Sequence, residues 1–221
     1  MLNAVIFDFD GVILDSEGLH FKVFNQVLEK HKINISWDDY QQKYIGFNDE
    51  EAFKSIFKIN KKRLNKKLIE DLIHQKAIIF EKSIKNDEAD VFPGVVQLIK
   101  SIPVKLPIGL CSGALRSDIE PVIKNLKIKR FFKSIVTAED TIKSKPFPEP
   151  YLLSLKNLNI QDPSKTVAIE DTPAGINSAK EAGMKVLAVT NTFSSGYLYE
   201  ADAIASSLAE VNRKTLEDLI Y

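Results

Sequence analysis

The stretch Val5-Ile6-Phe7-Asp8-Phe9-Asp10-Gly11 puts the tightest limit on how this chain folds. It starts as an apolar, strand-forming run and breaks off in two carboxylates and a glycine. Such a run belongs in a sheet core, yet two neighbouring acids resist burial unless something pairs with them. In extended backbone, residues i and i+2 share a face, so Asp8 and Asp10 are expected to project together with Phe9 opposite. A divalent cation, Mg²⁺ above all, is a natural partner for hard carboxylate oxygens. Gly11 lets the chain turn closely around that centre. One carboxylate can then attack an electrophile while the other handles a proton.

The first strand is expected over about residues 3–9. After Gly11, Ser16 is placed to cap a helix carrying Leu19, Val23, Val27 and Leu28 on its apolar side. Helical spacing continues to about residue 85 with no convincing strand, and Asn86 to Asp90 reads as a polar return linker. Strands then alternate with helices, at Leu106–Leu110, Ile135–Thr137, Thr166–Ile169, Val186–Val189 and Ala203–Ala205. That alternation implies an α/β fold, a Rossmann-like parallel sheet flanked by helices, with an inserted α-helical block. The expected division is a core of 1–15 and 89–221 and a helical cap of 16–88.

The 30 basic residues are matched by 30 acidic ones. No net charge draws the chain to nucleic acid or to an anionic membrane. The basic run Lys61 to Lys67 reads as a solvated helix start. No apolar run reaches the roughly 18 residues of a membrane span. An acid at position 8 is misplaced for a signal peptide, and the single cysteine, Cys111, suits a reducing compartment. A cytoplasmic protein is expected, with Cys111 a small apolar filler.

In open parallel sheets, ligands bind beyond the carboxyl ends of the strands. The residues that follow the strands should therefore converge: Asp8 and Asp10, then Ser112, then Glu170 and Asp171, with Lys145 arriving on the proline-rich loop Lys143 to Pro148. Ser112 with the Gly113 amide can hydrogen-bond a phosphoryl oxygen, although an ordinary Ser-Gly turn reads the same way. Lys145 can set a fixed charge against phosphate, although most lysines only solvate a surface. Glu170-Asp171 after a buried strand calls for a cation, although acids also favour the helix start that Thr172-Pro173 suggests. Taken together, the inventory suits phosphoryl transfer through an aspartate.

These segments also resemble, in order, the four motifs of the haloacid dehalogenase superfamily. Asp8-Phe9-Asp10-Gly11-Val12 is similar to the first motif and Cys111-Ser112-Gly113 to the second. Lys145-Pro146-Phe147-Pro148-Glu149-Pro150-Tyr151 is similar to the third and Ile169-Glu170-Asp171-Thr172 to the fourth, with Phe92-Pro93-Gly94-Val95 matching a segment just after the cap. The resemblance is to the helical-cap members, such as phosphoglycolate phosphatases and β-phosphoglucomutases. It implies Asp8 as nucleophile and Asp10 as acid and base, with the Asp10 backbone carbonyl on the metal. It also implies Asp171 as a direct Mg²⁺ ligand and Glu170 as a ligand through water or in the outer shell. Ser112, Gly113 and Lys145 would hold the phosphoryl group. The implied substrate is a small phosphorylated metabolite, selected by the cap. The similar mutases carry a basic residue before a cap glycine and an arginine after it, where this chain has Ile45, Gly46 and Asp49. That favours a phosphatase of the phosphoglycolate-phosphatase type over a sugar-phosphate mutase. Lys43, Arg116 and His20 are further candidates for touching substrate, each more simply read as solvated or packed. A phosphoryl-storing receiver domain is disfavoured by the cap and by Asp10, and a non-catalytic binding protein by the full set of motif carboxylates.

Overall fold

The structure is a computed structural model that describes residues 1–45, 47–85 and 90–221. In chain order it contains β1 (Ala4–Phe7), β2 (Leu14–Asp15), α1 (Glu17–Leu28), α2 (Trp37–Lys43), α3 (Asp49–Ile59), α4 (Lys66–Lys85) and β3 (Asp90–Val91). Then follow α5 (Val95–Ser101), β4 (Ile108–Cys111), α6 (Arg116–Asn125), β5 (Phe132–Val136), α7 (Glu149–Asn157), β6 (Thr166–Glu170), α8 (Pro173–Glu181), β7 (Lys185–Val189), β8 (Ala203–Ala205) and α9 (Arg213–Asp218).

Six strands form one sheet in the order β5-β4-β1-β6-β7-β8, every pairing parallel. Both faces are covered, as parallel sheets require. The pleat divides β1 between two apolar layers. Val5 and Phe7 join Leu110, Val167 and Ile169 on one side. Ala4 and Ile6 join Tyr151, Ala168 and Val186 on the other. Strand β1 sits between β4, its successor in the sheet, and β6, where the winding reverses. Loops part at such a reversal and leave a crevice at the carboxyl ends.

Between β2 and β3 the chain runs through α1 to α4. Strands β2 and β3 pair antiparallel, Leu14 with Val91 and Asp15 with Asp90, so the segments entering and leaving the helical stretch are tied together. Strands of two residues carry no periodicity, and this ribbon was not expected from sequence. The expected linker residues 86–89 and Gly46 lie outside the described residues. Helix α1 buries Leu19, Val23, Phe24, Val27 and Leu28. Helix α4 packs on α1, α3 and α6, so the helical stretch rests on the sheet layer next to the crevice. Lys61 to Lys67 is exposed apart from half-buried Leu64, as a solvated helix start should be. Among the described residues, no helix is long and apolar enough to cross a membrane.

Candidate active site

Strand β1 ends at Phe7, short of the expected residue 9, and hands over to a tight turn. The Phe9 carbonyl accepts from the amides of Val12, Ile13 and Leu14 at 3.3, 2.8 and 3.0 Å, and Phe9 itself is buried. Asp8 and Asp10 do face one cavity of about 290 Å³. They do so because of this turn, and strand alternation plays no part beyond Phe7. Gly11 stands at φ +77°, and a Cβ there would lie 1.8 Å from Asp171 Oδ2. The Asn191 side chain donates to the Gly11 carbonyl at 2.7 Å and holds the turn against the end of β7.

Asp8, at the tip of β1, is buried and donates its amide to the Ile169 carbonyl at 3.0 Å. Lys145, reaching in from the loop before α7, donates to Asp8 Oδ1 at 2.8 Å, Glu170 Oε1 at 2.6 Å and the Cys111 carbonyl at 3.0 Å. Tyr151 on α7 adds its hydroxyl to Glu170 Oε1 at 2.6 Å. Glu170 Oε2 nestles against the start of α8, where a Cβ on Gly175 would lie 1.9 Å away. Asp171 is fully buried, and among the described residues neither of its oxygens has a partner at hydrogen-bond geometry, although the Thr192 hydroxyl lies close enough to favour its charged form.

Asp8, Glu170 and Asp171 each offer an oxygen within 4.8 Å of the others. Three carboxylates and one lysine leave this cluster short of positive charge. Burial, opposed by Lys145 and reinforced by Glu170, pushes Asp8 from 3.8 up to about 8. Burial and the charges of Asp8 and Glu170 drive Asp171 well above the carboxylate range. Lys145 is held more strongly charged than usual by Asp8 and Glu170, although burial works against it. Orphaned oxygens in a buried acidic hollow fit a hard divalent cation such as Mg²⁺, which would supply the missing partner.

This arrangement sets an expected result. Between 3.8 and about 8 the folded state keeps a proton on Asp8 that the unfolded chain releases. Metal-free stability therefore falls as pH rises through that window, and a cation bound to the native carboxylates restores it. Excess Mg²⁺ should raise the Tm more at about pH 8 than at about pH 6. Ligand at 100 times its Kd corresponds to roughly 3 kcal/mol, or roughly 6–12 °C for a chain this size. Thermal unfolding at the two pH values, with and without the ion, checks this. Equal gains at both would place the ion elsewhere.

The Asp10 carboxylate is not part of that cluster. It turns to the Ser16 hydroxyl and to His20 Nε2, which lies 3.2 Å away. Ser16 precedes α1 but makes no side-chain cap, because its hydroxyl is spent on Asp10. Burial would raise Asp10, but these hydrogen bonds outweigh it and hold the carboxyl below its usual value. His20 Nδ1 meets the Lys76 ammonium at 2.9 Å. A lysine ammonium has no lone pair to offer, so Nδ1 accepts, and Nε2 carries the proton donated to Asp10. Lys76, buried on α4, also pairs with Asp49 at 2.6 Å and lies over the rings of Phe24 and Phe80.

Ser112 and Gly113 line the cavity after β4. The Ser112 hydroxyl already accepts from the Ala114 amide at 2.9 Å, and a Cβ on Gly113 would meet no protein atom within 4 Å. Lys43 and Arg116 stay outside, paired with Asp39 and Asp140. Cys111 is buried, and its thiol is pushed up to about 12 by burial, which leaves it inert at neutral pH. Lys76 and Asp118 were not anticipated. Each interrupts an apolar stripe, Lys76 between Leu72 and Phe80 and Asp118 one turn before Val122. A charge at a core position is the signal that would have found them. One further contact joins the helical stretch to the sheet: Asn48 accepts from the Glu51 amide at 2.9 Å to cap α3 and donates to the Ser144 hydroxyl at 2.9 Å, next to Lys145.

The family profile of haloacid dehalogenase-like hydrolases matches residues 5–189, a span holding every residue of this cluster. The chain belongs to that family. A phosphorylated carbohydrates phosphatase of Thermotoga maritima is 28% identical to this hydrolase, over 99% of this chain and 100% of the relative. A β-phosphoglucomutase of Bacillus subtilis is 31% identical, over 85% and 83%. The crystal structure of β-phosphoglucomutase from Clostridium difficile superposes with a TM-score of 0.90 at 25% identity, covering 100% of this chain and 97% of that one. The α/β fold expected from sequence is that of this family.

Proposed function

We propose that this hydrolase releases phosphate from small phosphomonoesters with Mg²⁺ bound, through an aspartyl phosphate on Asp8. The reading rests on one observation above all: Asp8, Lys145, Glu170 and Asp171 gather at the sheet's switch point, and among the described residues no cation or well-placed donor meets the Asp171 oxygens. Relatives named as phosphatases support the phosphoric monoester hydrolase class.

In the first half-reaction an Asp8 oxygen attacks phosphorus and the bond to the ester oxygen breaks. Asp10, ionised at rest with Ser16 and His20 on its Oδ1, takes up a proton from solvent before the ester bond breaks and gives it to the departing alkoxide. In the second, Asp10 takes a proton from water, the resulting hydroxide attacks phosphorus, and the Asp8–phosphorus bond breaks. Asp8 is restored, phosphate leaves, and Asp10 again carries a proton. The bonds from Ser16 and His20 aim Asp10 at the leaving oxygen. Lys145, Ser112 and the Gly113 amide hold the phosphoryl oxygens. Asp8, Asp171 and the Asp10 backbone carbonyl would hold Mg²⁺, with Glu170 behind them. The ion, when bound, neutralises the developing charge on the phosphoryl group. Residues 16–88 act as a cap over a core of 1–15 and 89–221, excluding water and reading the substrate's other end. The buried lone cysteine suits the reducing cytoplasm.

The β-phosphoglucomutase relatives raise a mutase as the second reading. A mutase must hold a second phosphate while its intermediate turns round. Here Ile45 is uncharged and Asp49 already occupies Lys76. The test is a panel of phosphate esters assayed with Mg²⁺ and with a chelator. Metal-dependent release of inorganic phosphate is expected. Interconversion of phosphosugar isomers that depends on an added bisphosphate, with little free phosphate, would decide for the mutase.

A further inference from the structure

Besides Asp8, Asp10 and Lys145, the carboxylate, imidazole and ammonium side chains that line the cavity among the described residues are Glu17, His20, Asp49, Glu50, Lys76 and Asp118. Among the described residues, Lys76 and Lys145 are the cationic side chains lining the cavity. Lys145 is paired with Asp8 and Glu170 and serves the transferred phosphoryl group, at the opposite end of the substrate. Lys76 has three donors; Asp49 and His20 take two, and aromatic rings cover other sides of the ammonium. His20 has both ring nitrogens occupied, by Asp10 and by Lys76. Of the carboxylates, Glu17 accepts from the Tyr40 hydroxyl at 2.6 Å and Glu50 pairs with Lys54 at 2.6 Å. Asp118 is different. It is 3% exposed and lines the cavity from the start of α6; among the described residues its one side-chain hydrogen bond is the Ser117 hydroxyl at 3.5 Å, and the Lys76 charge acts on it without bonding to it. So, among the described residues, the wall holds no cation free for a ligand and one buried carboxylate that still lacks a good donor.

A second anion on the substrate would be desolvated against this wall with nothing to pair with, and would face Asp118 and Glu17 at close range. A hydroxyl would instead give Asp118 the donor it lacks. We infer that the site selects phosphomonoesters whose far end is uncharged and hydroxyl-bearing, a polyol or sugar, and rejects bisphosphates and phosphocarboxylates, with Asp118 as the residue that accepts the hydroxyl. The inference rests on the phosphatase reading and narrows it. It also turns the phosphoglycolate type expected from sequence away from phosphoglycolate itself, which ends in a carboxylate.

The test compares kcat/KM with Mg²⁺ for two matched pairs, glucose 6-phosphate against glucose 1,6-bisphosphate and glycerol 3-phosphate against phosphoglycolate, beside p-nitrophenyl phosphate. The uncharged-ended member of each pair should be favoured by roughly tenfold or more. Asp49→Asn, which frees Lys76, should shift the ratio in the first pair toward the bisphosphate. Asp118→Asn should raise KM for glucose 6-phosphate more than for p-nitrophenyl phosphate. A wild-type preference for either doubly anionic ester, or equal rates within both pairs, overturns the inference while leaving the phosphatase reading standing. Wild-type protein that releases phosphate from none of the five esters overturns both.

Discussion

Replacing Asp8 by Asn is expected to lower phosphate release by roughly 10⁴-fold or more, the scale seen when a covalent nucleophile is removed. The size follows from the absence of a substitute. Asp10 is tied to Ser16 and His20, and Glu170 to Lys145 and Tyr151. The buried cysteine is held as a thiol. The loss should not come from unfolding. Burial already opposes the Asp8 charge, so an uncharged isostere relieves the metal-free cluster. At about pH 8 without Mg²⁺ the variant should melt no lower than the wild type, and higher if the full effect of Asp8 is felt. Single-turnover assays with ³²P-labelled ester should find no acid-stable, protein-bound phosphate in the variant. Turnover within tenfold of wild type would remove Asp8 from the chemistry.

The second large effect is expected from Gly11→Ala. The backbone there is left-handed, which costs an L-residue about 1–2 kcal/mol by itself. The new methyl would also start 1.8 Å from Asp171 Oδ2 and 2.7 Å from Thr192 Oγ1. Either the turn opens or the Asp171 carboxylate is driven from the cluster. A combined cost of about 3 kcal/mol corresponds to a Tm lower by roughly 6–12 °C. The diagnostic is the response to cation: Mg²⁺ should no longer raise the Tm of the variant, and activity should fall with it. A variant that melts low but keeps its full Mg²⁺ shift would show that Gly11 serves only the turn. Gly175→Ala makes a useful partner, since its methyl would crowd Glu170 and leave Asp171 in place.

The site floor was legible because its members sit where strands end. Each is a polar residue directly after an apolar run, or, for Lys145, a lysine on a loop stiffened by prolines, and a parallel sheet brings all such ends to one edge. The sheet was legible for the same reason, from short runs of Val, Ile and Leu separated by helical spacing. What lay beyond reach depends on pairings across long stretches of chain. The β2–β3 ribbon joins residues 14 and 91, and neither strand is long enough to alternate. Ser16 has the chemistry of a helix cap, and only the folded turn shows that Asp10 captures its hydroxyl. Lys76 and Asp118 could have been suspected from their places in apolar stripes, but nothing local says that the first is neutralised by Asp49 and the second is left open.

The Asn48 amide group performs two tasks with one side chain. Its oxygen caps the start of α3 and its nitrogen grips Ser144, the neighbour of the lysine that neutralises Asp8. Any movement that lifts α3 from the loop carrying Ser144 must break that bond together with the Ser144 contact to Glu51. The lysine would stay bonded to Asp8, Glu170 and the Cys111 carbonyl through such a movement, so the floor of the crevice would keep its charge while its roof lifted.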